Sequence, residues 1–301
     1  MVKTLISIIG PTGIGKTKLA IAIARFFDTE ILSCDSRQFF QEMKIGTASP
    51  SEEELAAAKH HFVGHLSALR DDYSIGKYEE DALGLIDNLF IDKDKIVLVG
   101  GSGMYEKAVT EGLNSLPKAN EENQKKMEKI LETEGIEALQ NLLEELDKDY
   151  FESVDKNNPR RLLRAIDIIF QTGEPYSKII NKPKQKRPFR TIRIGLEAPR
   201  EIIYQRINQR VDMMMENGLK EEAIALYPYR DKVALQTVGY TELFKYLDGE
   251  WTLDFAVEEI KKNSRRYAKR QMTWNRSLPN VYWLPYDYSE RDLVSLLESL
   301  T

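Results

Sequence analysis

Cysteine is almost missing from this 301-residue chain: Cys34 stands alone, which excludes a disulfide framework and a thiolate metal cluster and fits a reducing compartment. Long hydrophobic runs are also lacking. No stretch approaches the roughly 20 apolar residues that span a bilayer. The N-terminus shows no cationic region, long apolar region or cleavage site of a leader. A cytoplasmic protein without a membrane partner is therefore expected. There is no internal repeat and no low-complexity linker. Histidine is scarce, and His60, His61 and His65 have no cysteine or further ligand nearby, so a structural role is expected rather than zinc binding.

What is present is an ordinary soluble composition, 42% hydrophobic and 30% charged, on a chain long enough to bury a large core. The net charge of −5 is unevenly spread. Glutamates crowd residues 121–149, whereas Lys182, Lys184, Lys186, Arg187, Arg190 and Arg193 form one basic cluster. Lys261, Lys262, Arg265, Arg266, Lys269 and Arg270 form another. Local patches rather than the sum govern binding to a polyanion, although composition alone is equally consistent with solvated faces.

The most informative stretch is Gly10-Pro11-Thr12-Gly13-Ile14-Gly15-Lys16-Thr17, which fits G-x-x-x-x-G-K-[ST] at every fixed position. It follows the apolar run Leu5 to Ile9 and opens a helix-like segment, Lys18 to Phe27. In such a loop, glycines let successive N–H groups face one concavity, and the helix N-terminus adds partial positive charge. Lys16 supplies a full charge, and the Thr17 hydroxyl can ligate a phosphate-bound Mg²⁺. The chain therefore binds a diphosphate or triphosphate, which the motif by itself does not identify.

Further along, Glu30 to Cys34 reads as a short buried strand ending at Asp35-Ser36-Arg37-Gln38. Ser51 and Glu54 form a capping box for a helix reaching about His60, and Tyr78 to Phe90 reads as another helix. Ile96 to Val99 is a strand that ends in the glycine-rich turn Gly100 to Tyr105. This alternation predicts a parallel sheet, with ligands beyond the carboxyl ends of its strands. The phosphate loop, Asp35 and Ser102 should then share one crevice.

From about Leu116 the pattern is helical: Glu121 to Thr133, Gly135 to Leu146 and Arg160 to Gln171, the last stopped by Gly173 and Pro175. Thr191 to Leu196 and Val281 to Leu284 return as strands, with helices from Arg200 to Arg276 between them. The expected fold is α/β: a P-loop parallel-sheet core with helices on both faces and an all-helical insertion domain. The expected bounds are 1–115 and 186–301 for the core and 116–185 for the insertion.

A phosphoryl-transfer P-loop enzyme usually has a carboxylate at the end of a hydrophobic strand, but Ile96 to Val99 ends in glycines. The carboxylate that emerges from a strand is Asp35, as a candidate base or as a turn cap. Phe39 and Phe40 follow it, as channel lining or core.

Taken in order, these segments resemble the bacterial tRNA dimethylallyltransferases over nearly the whole chain. The resemblance rests on residues 10–17, Asp35-Ser36-x-Gln38, Met43 to Ala48, His60-His61, Tyr73-Ser74 and the Gly100 to Tyr105 turn. It continues through Arg160-Arg161-Leu162-x-Arg164-Ala165, Thr172-Gly173-x-Pro175, Gln236 to Tyr240 and Lys269-Arg270-Gln271-x-Thr273-Trp274-x-Arg276.

The resemblance implies transfer of a dimethylallyl group from dimethylallyl diphosphate to the N6 amine of the adenine 3′-adjacent to the anticodon. It implies Asp35 as base, Ser102 (a threonine in the family) at the reacting amine, and Lys16 and Arg210 on the diphosphate with Mg²⁺ carried through Thr17. Arg206, one turn before Arg210, reads as an assistant or as a surface arginine. The anticodon stem-loop would meet Asp35, Ser36, Arg37, Gln38 and Ser102. It would also meet Gln124, Asn158, Pro159, Arg160, Arg161, Leu162 and Arg164.

Gln124 stands where the family often has an arginine, Gln41-Glu42 replaces a basic-glycine pair, and Ser49 replaces a lysine before Pro50. Nothing marks an obligate interface, so a monomer is expected. A small-molecule kinase, a prenyltransferase for free adenine nucleotides and a non-catalytic RNA-binding protein remain as alternatives.

Overall fold

Residues 2–70, 73–114, 116–182 and 186–300 are described by a computed structural model. Lys184 of the first basic cluster and the expected boundary residues Ser115 and Gln185 lie outside the described residues. Contacts divide the chain into two compact units, residues 1–111 with 187–301, and residues 112–186.

The first unit begins with β1 (Thr4–Ile9), α1 (Lys16–Phe26), β2 (Ile31–Ser33), α2 (Glu52–Ala57) and β3 (His60–His61). Next come α3 (Ile75–Asp92), β4 (Lys95–Val99) and α4 (Gly103–Glu111). The second unit holds α5 (Glu121–Glu134), α6 (Ile136–Leu146), α7 (Lys148–Ser153), α8 (Pro159–Thr172) and α9 (Tyr176–Ile180). The chain then adds β5 (Arg190–Glu197), α10 (Arg200–Glu216), α11 (Leu219–Leu226) and α12 (Tyr240–Leu247) to the first unit. It finishes with α13 (Leu253–Ser277), β6 (Val281–Pro285) and α14 (Glu290–Ser299).

The described strands form one sheet in the order β3-β2-β4-β1-β5-β6, and every pairing is parallel. Side chains alternate across it as a period of two requires. Leu5, Ile96 and Leu98 point into a cluster with Tyr78, Ala82 and Ile86 of α3. Ile6, Ile8, Val97 and Val99 point into another with Leu19 and Ile23 of α1 and Leu293 and Leu297 of α14. Both faces are therefore covered, as a buried parallel sheet demands.

Two local expectations change. The helix capped by Ser51 and Glu54 stops at Ala57, not at about His60, because Ala58 turns extended and His60–His61 pairs with Ile31 and Leu32 as an edge strand. A two-residue strand is too short to show alternation. Helix α14 went unmarked in the sequence reading, although Ser289 and Asp292 form a capping box ahead of its apolar stripe.

The helical unit packs Met127, Leu139, Leu143, Leu162, Ala165 and Ile166 into its own core. Its caps are local. Asn120 starts α5, Asn158 with Pro159 starts α8, and Gly173 ends α8 in the left-handed region.

Beneath the sheet's anion-binding end sits a buried ion pair. Arg193 Nε of β5 donates to Glu106 Oε1 of α4 at 2.9 Å, and Ser7 Oγ of β1 donates to the same oxygen at 3.0 Å. Glu106 is 2% exposed, so losing its partner strands a charge in low dielectric. Arg193→Met is expected to cost about 3–5 kcal/mol, and adding Glu106→Gln should recover most of it. Urea unfolding followed by tryptophan fluorescence checks this, since Trp251, Trp274 and Trp283 all lie outside residues 112–186.

Candidate active site

The phosphate loop joins β1 to α1. Gly13 and Gly15 take positive φ values of 79° and 110°, conformations that L-residues with side chains resist. Gly15 is the N-cap of α1, so the helix's free amides and its positive dipole end open toward the loop. Lys16 Nζ donates to the Pro11 carbonyl at 2.9 Å, arching its side chain back over the loop.

Helix α10 closes the loop from the other side. Arg206 Nε donates to the Gly13 carbonyl at 2.9 Å, and Arg210 donates to Thr12 Oγ1 at 3.1 Å. The two arginines, four residues apart, share a helix face. Arg206 is therefore fixed on the loop rather than left on the surface as an ordinary solvated arginine. Burial lowers the Lys16 ammonium from its usual value to about 8; the Asp35 carboxylate opposes that shift and the Arg210 guanidinium adds to it. Burial also lowers Arg210, with Asp35 pulling against it.

Asp35 leaves the end of β2. Its Oδ1 accepts the Arg37 N–H at 3.1 Å, which orders the turn, and the residue lines a cavity of about 290 Å³. Its lining combines polar residues, among them Thr12, Asp35, Ser36 and Arg210, with the apolar Ile207, Val211, Met214, Leu219 and Ile260. Ser102, at the end of β4, accepts the Ser36 N–H at 3.2 Å and shares a 3.0 Å hydrogen bond with the Ser36 hydroxyl. Residues from three strand ends thus meet at one crevice.

The neighbouring candidates are turned to structural bonds. Arg37 donates to the carbonyls of Val233 and Ala234, and Gln38 Nε2 donates to the Ala48 carbonyl at 3.1 Å. Phe39 and Phe40 are buried in the core, with Phe39 stacked on Tyr78. The histidines take structural places: His60 Nδ1 bonds with the Ala58 carbonyl, His61 with Glu30, and His65 packs on Phe39 and Tyr73. Cys34 is buried, which holds its thiol in the protonated form.

In the helical unit, Arg160 and Arg161 are exposed on the first turn of α8, Gln124 is half-buried on α5, and Leu162 is fully buried. The Asn158 side chain accepts the Arg161 N–H, and Arg164 is paired with buried Asp167 and the Pro117 carbonyl.

Sequence reasoning passed over the contribution of α13. Tyr267 and Gln271 both donate to the Gly101 carbonyl, at 3.2 and 2.8 Å. Their four-residue spacing in the Lys269 to Arg276 neighbourhood was the available signal. The wall at residues 45–46 was equally hidden: Glu222 accepts from the N–H groups of Ile45 and Gly46, both at 2.9 Å, and from the Tyr240 hydroxyl at 2.7 Å.

Among the described residues no group of three or more His, Cys, Asp or Glu side chains is arranged to hold a metal ion. No helix there is long and apolar enough to cross a membrane.

A family model described as IPP transferase matches residues 38–278. The tRNA dimethylallyltransferase of Christiangramia forsetii is 52% identical over 98% of this chain and 97% of its own length. That of Flavobacterium psychrophilum is 47% identical over 98% of each chain. The crystal structure of a full-length tRNA isopentenylpyrophosphate transferase from Bacillus halodurans superposes with a TM-score of 0.73 at 35% identity, covering 99% of this chain and 95% of that one. A eukaryotic dimethylallyltransferase acting on tRNA gives 0.84 at 26% identity, over 99% of this chain and 78% of that one.

The depressed Lys16 value generates a pH prediction. Below about 8 the ammonium is charged and attracts an anion; above it the charge is lost. Pyrophosphate affinity measured by calorimetry should weaken by up to about tenfold per pH unit above that value. Lys16→Met should bind more weakly at neutral pH, and its deficit relative to the wild type should shrink as pH rises.

Proposed function

This chain belongs to the IPP transferase family, and on that premise we propose that it transfers a dimethylallyl group from dimethylallyl diphosphate to the N6 amine of the adenine 3′-adjacent to the tRNA anticodon, releasing diphosphate. The observation that carries this reading is one cavity lined by the Asp35 carboxylate, by Thr12 of the anion-binding loop with Arg210, and by apolar side chains. The loop suits the diphosphate, the wall formed by Val211, Met214, Leu219 and Ile260 suits a five-carbon tail, and Asp35 suits the acceptor.

In the reaction the N6–C1 bond forms as the allylic C1–O bond breaks. An adenine amine is a weak nucleophile because its lone pair is conjugated with the ring. Asp35 takes the N6 proton as the new bond develops, which raises the amine's reactivity. The Ser102 hydroxyl, hydrogen-bonded to Ser36 at 3.0 Å, holds the amine in line. Negative charge grows on the departing diphosphate, where Lys16, Arg210 and the N–H groups at the start of α1 stabilise it.

A Mg²⁺ ion fits this site only as a guest of the diphosphate, because protein donors are sparse and the Thr17 hydroxyl is a hard oxygen in the first turn of α1. When bound it neutralises part of the leaving group's charge.

The target base leaves the anticodon stack at a cost of a few kcal/mol, recovered by contacts in the crevice. Asp35 to Gln38 form the protein surface beside it. Arg160 and Arg161 supply phosphate contacts, Gln124, Asn158 and Pro159 shape that part of the RNA-binding surface, and the buried Leu162 and ion-paired Arg164 support it from beneath. The exposed Lys269 and Arg270 of α13 add backbone contacts that salt weakens. In this reading the protein acts as a monomer in the cytoplasm.

Labelled dimethylallyl diphosphate offered with an anticodon stem-loop, with AMP, or alone provides the test. Label entering only the RNA is expected. Label entering AMP would assign the chain to free nucleotides, and phosphate transfer from ATP without prenylation would make it a kinase. Asp35→Ala should lower kcat by about 10²–10⁴-fold while donor binding is retained. Arg210→Ala should weaken donor binding and slow transfer together, as paired binding and single-turnover measurements will show.

A further inference from the structure

Helix α13 carries a polar side chain where burial demands full satisfaction. Gln271 is 6% exposed, and a buried amide is costly unless its donor and acceptor are both used. Both are. Oε1 accepts the Thr12 N–H at 2.8 Å, and Nε2 donates to the Gly101 carbonyl at 2.8 Å. These partners set the amide's orientation, because exchanging oxygen and nitrogen would place donor against donor and acceptor against acceptor.

The two partners belong to opposite halves of the chemistry. Thr12 lies in the loop that faces the leaving group and accepts from Arg210 through its hydroxyl. Gly101 precedes Ser102 in the turn that faces the acceptor. The fit at Gly101 is tight: an added Cβ would lie 2.8 Å from Gln271 Nε2 and 3.1 Å from Asp35 Oδ2. Tyr267, one turn earlier on the same helix face, donates to the same carbonyl at 3.2 Å.

We propose that Gln271 is a positioning residue: its amide ties the Thr12 N–H to the Gly101 carbonyl and so sets the separation between the leaving-group cradle and the acceptor turn. This inference rests on the prenyl-transfer reading and adds a spacing device to it. Alkyl transfer needs the reacting carbon and nitrogen in near-attack geometry, and a misplacement of about 1 Å costs on the order of 10²-fold in rate. The effect of losing the brace therefore falls on the bond-forming step and spares the binding of either substrate.

The test uses the full chain as wild type, Q271M and Q271E. Single-turnover transfer from dimethylallyl diphosphate to an anticodon stem-loop is measured with both saturating, beside direct binding of each. Q271M should slow transfer about 30–100-fold while each binding constant moves less than about threefold. Q271E keeps an acceptor for the Thr12 N–H but sets an anionic oxygen against the Gly101 carbonyl at neutral pH, so it should be equally slow. When protonated, the introduced carboxyl regains a donor for that carbonyl. Its rate relative to wild type should rise as pH falls from about 8 to about 5.5.

Transfer by Q271M within about threefold of wild type, a defect confined to substrate affinity, or a Q271E ratio that is flat with pH would each overturn the proposal. Should Q271M fail to melt cooperatively, the Q271E ratio decides. An inactive wild type would instead remove the prenyl-transfer reading itself.

Discussion

A parallel sheet delivers the carboxyl ends of all its strands to one edge, and everything proposed for this protein depends on that geometry. Strand β1 ends in the phosphate loop, β2 ends in Asp35 and β4 ends in Gly100 to Ser102. Pairing β4 between β1 and β2 brings the three together, and the Cys34 N–H donates to the Val99 carbonyl at 2.8 Å as the strand ends align. Thr12 and Asp35 thereby line one cavity, and Ser102, 90 positions beyond Thr12, joins them through its hydrogen bonds to Ser36. The loop glycines then turn the backbone itself into a ligand, since no side chain blocks the concavity.

Crowding Lys16, Arg206 and Arg210 around an anion-binding loop raises a physical difficulty. Like charges held in low dielectric repel, and burial penalises Lys16 and Arg210. The fold meets this with short local bonds. Arg206 and Arg210 are anchored to the Gly13 carbonyl and the Thr12 hydroxyl, and Asp35 contributes the opposing charge. An incoming diphosphate would relieve the same repulsion. Preorganised positive charge is also what a departing anion needs, because it requires no reorganisation as the bond breaks.

The parts of this arrangement that could be read from the sequence are those written in short-range signals. The loop motif, the capping box at Ser51 and Glu54, the glycine stop of α8 and the apolar runs of β1 and β4 each occupy a dozen residues or fewer. The parallel sheet also followed from the alternation of strands and helices, although its strand order did not. What stayed hidden were contacts between distant segments. The spacing of Tyr267 and Gln271 marks a shared helix face, but not that the Gln271 amide spans Thr12 and Gly101, 259 and 170 residues away. Glu222 gives no local hint that it holds the backbone of Ile45 and Gly46. The edge strand at His60–His61 was missed because pairing, not composition, makes two residues a strand.

The absence of a carboxylate at the tip of β4 separates this P-loop site from one built to transfer phosphate. A phosphoryl-transfer enzyme places that acid to hold Mg²⁺ against the transferring group. Here the strand runs from Val99 into Gly100 and Gly101, where any larger residue would collide with Cys34, Asp35 or Gln271. The space is used to bring the β2 carboxylate and the α13 amide close to the turn. In the proposed reaction the β2 carboxylate, Asp35, serves the acceptor, and no acid at the tip of β4 is needed to hold a metal against a transferring phosphate. A loop that only has to hold a leaving group, with its base displaced toward a second substrate, suits displacement at carbon rather than at phosphorus. On this argument the reaction type is encoded less by the anion-binding motif than by which neighbouring strand carries the carboxylate.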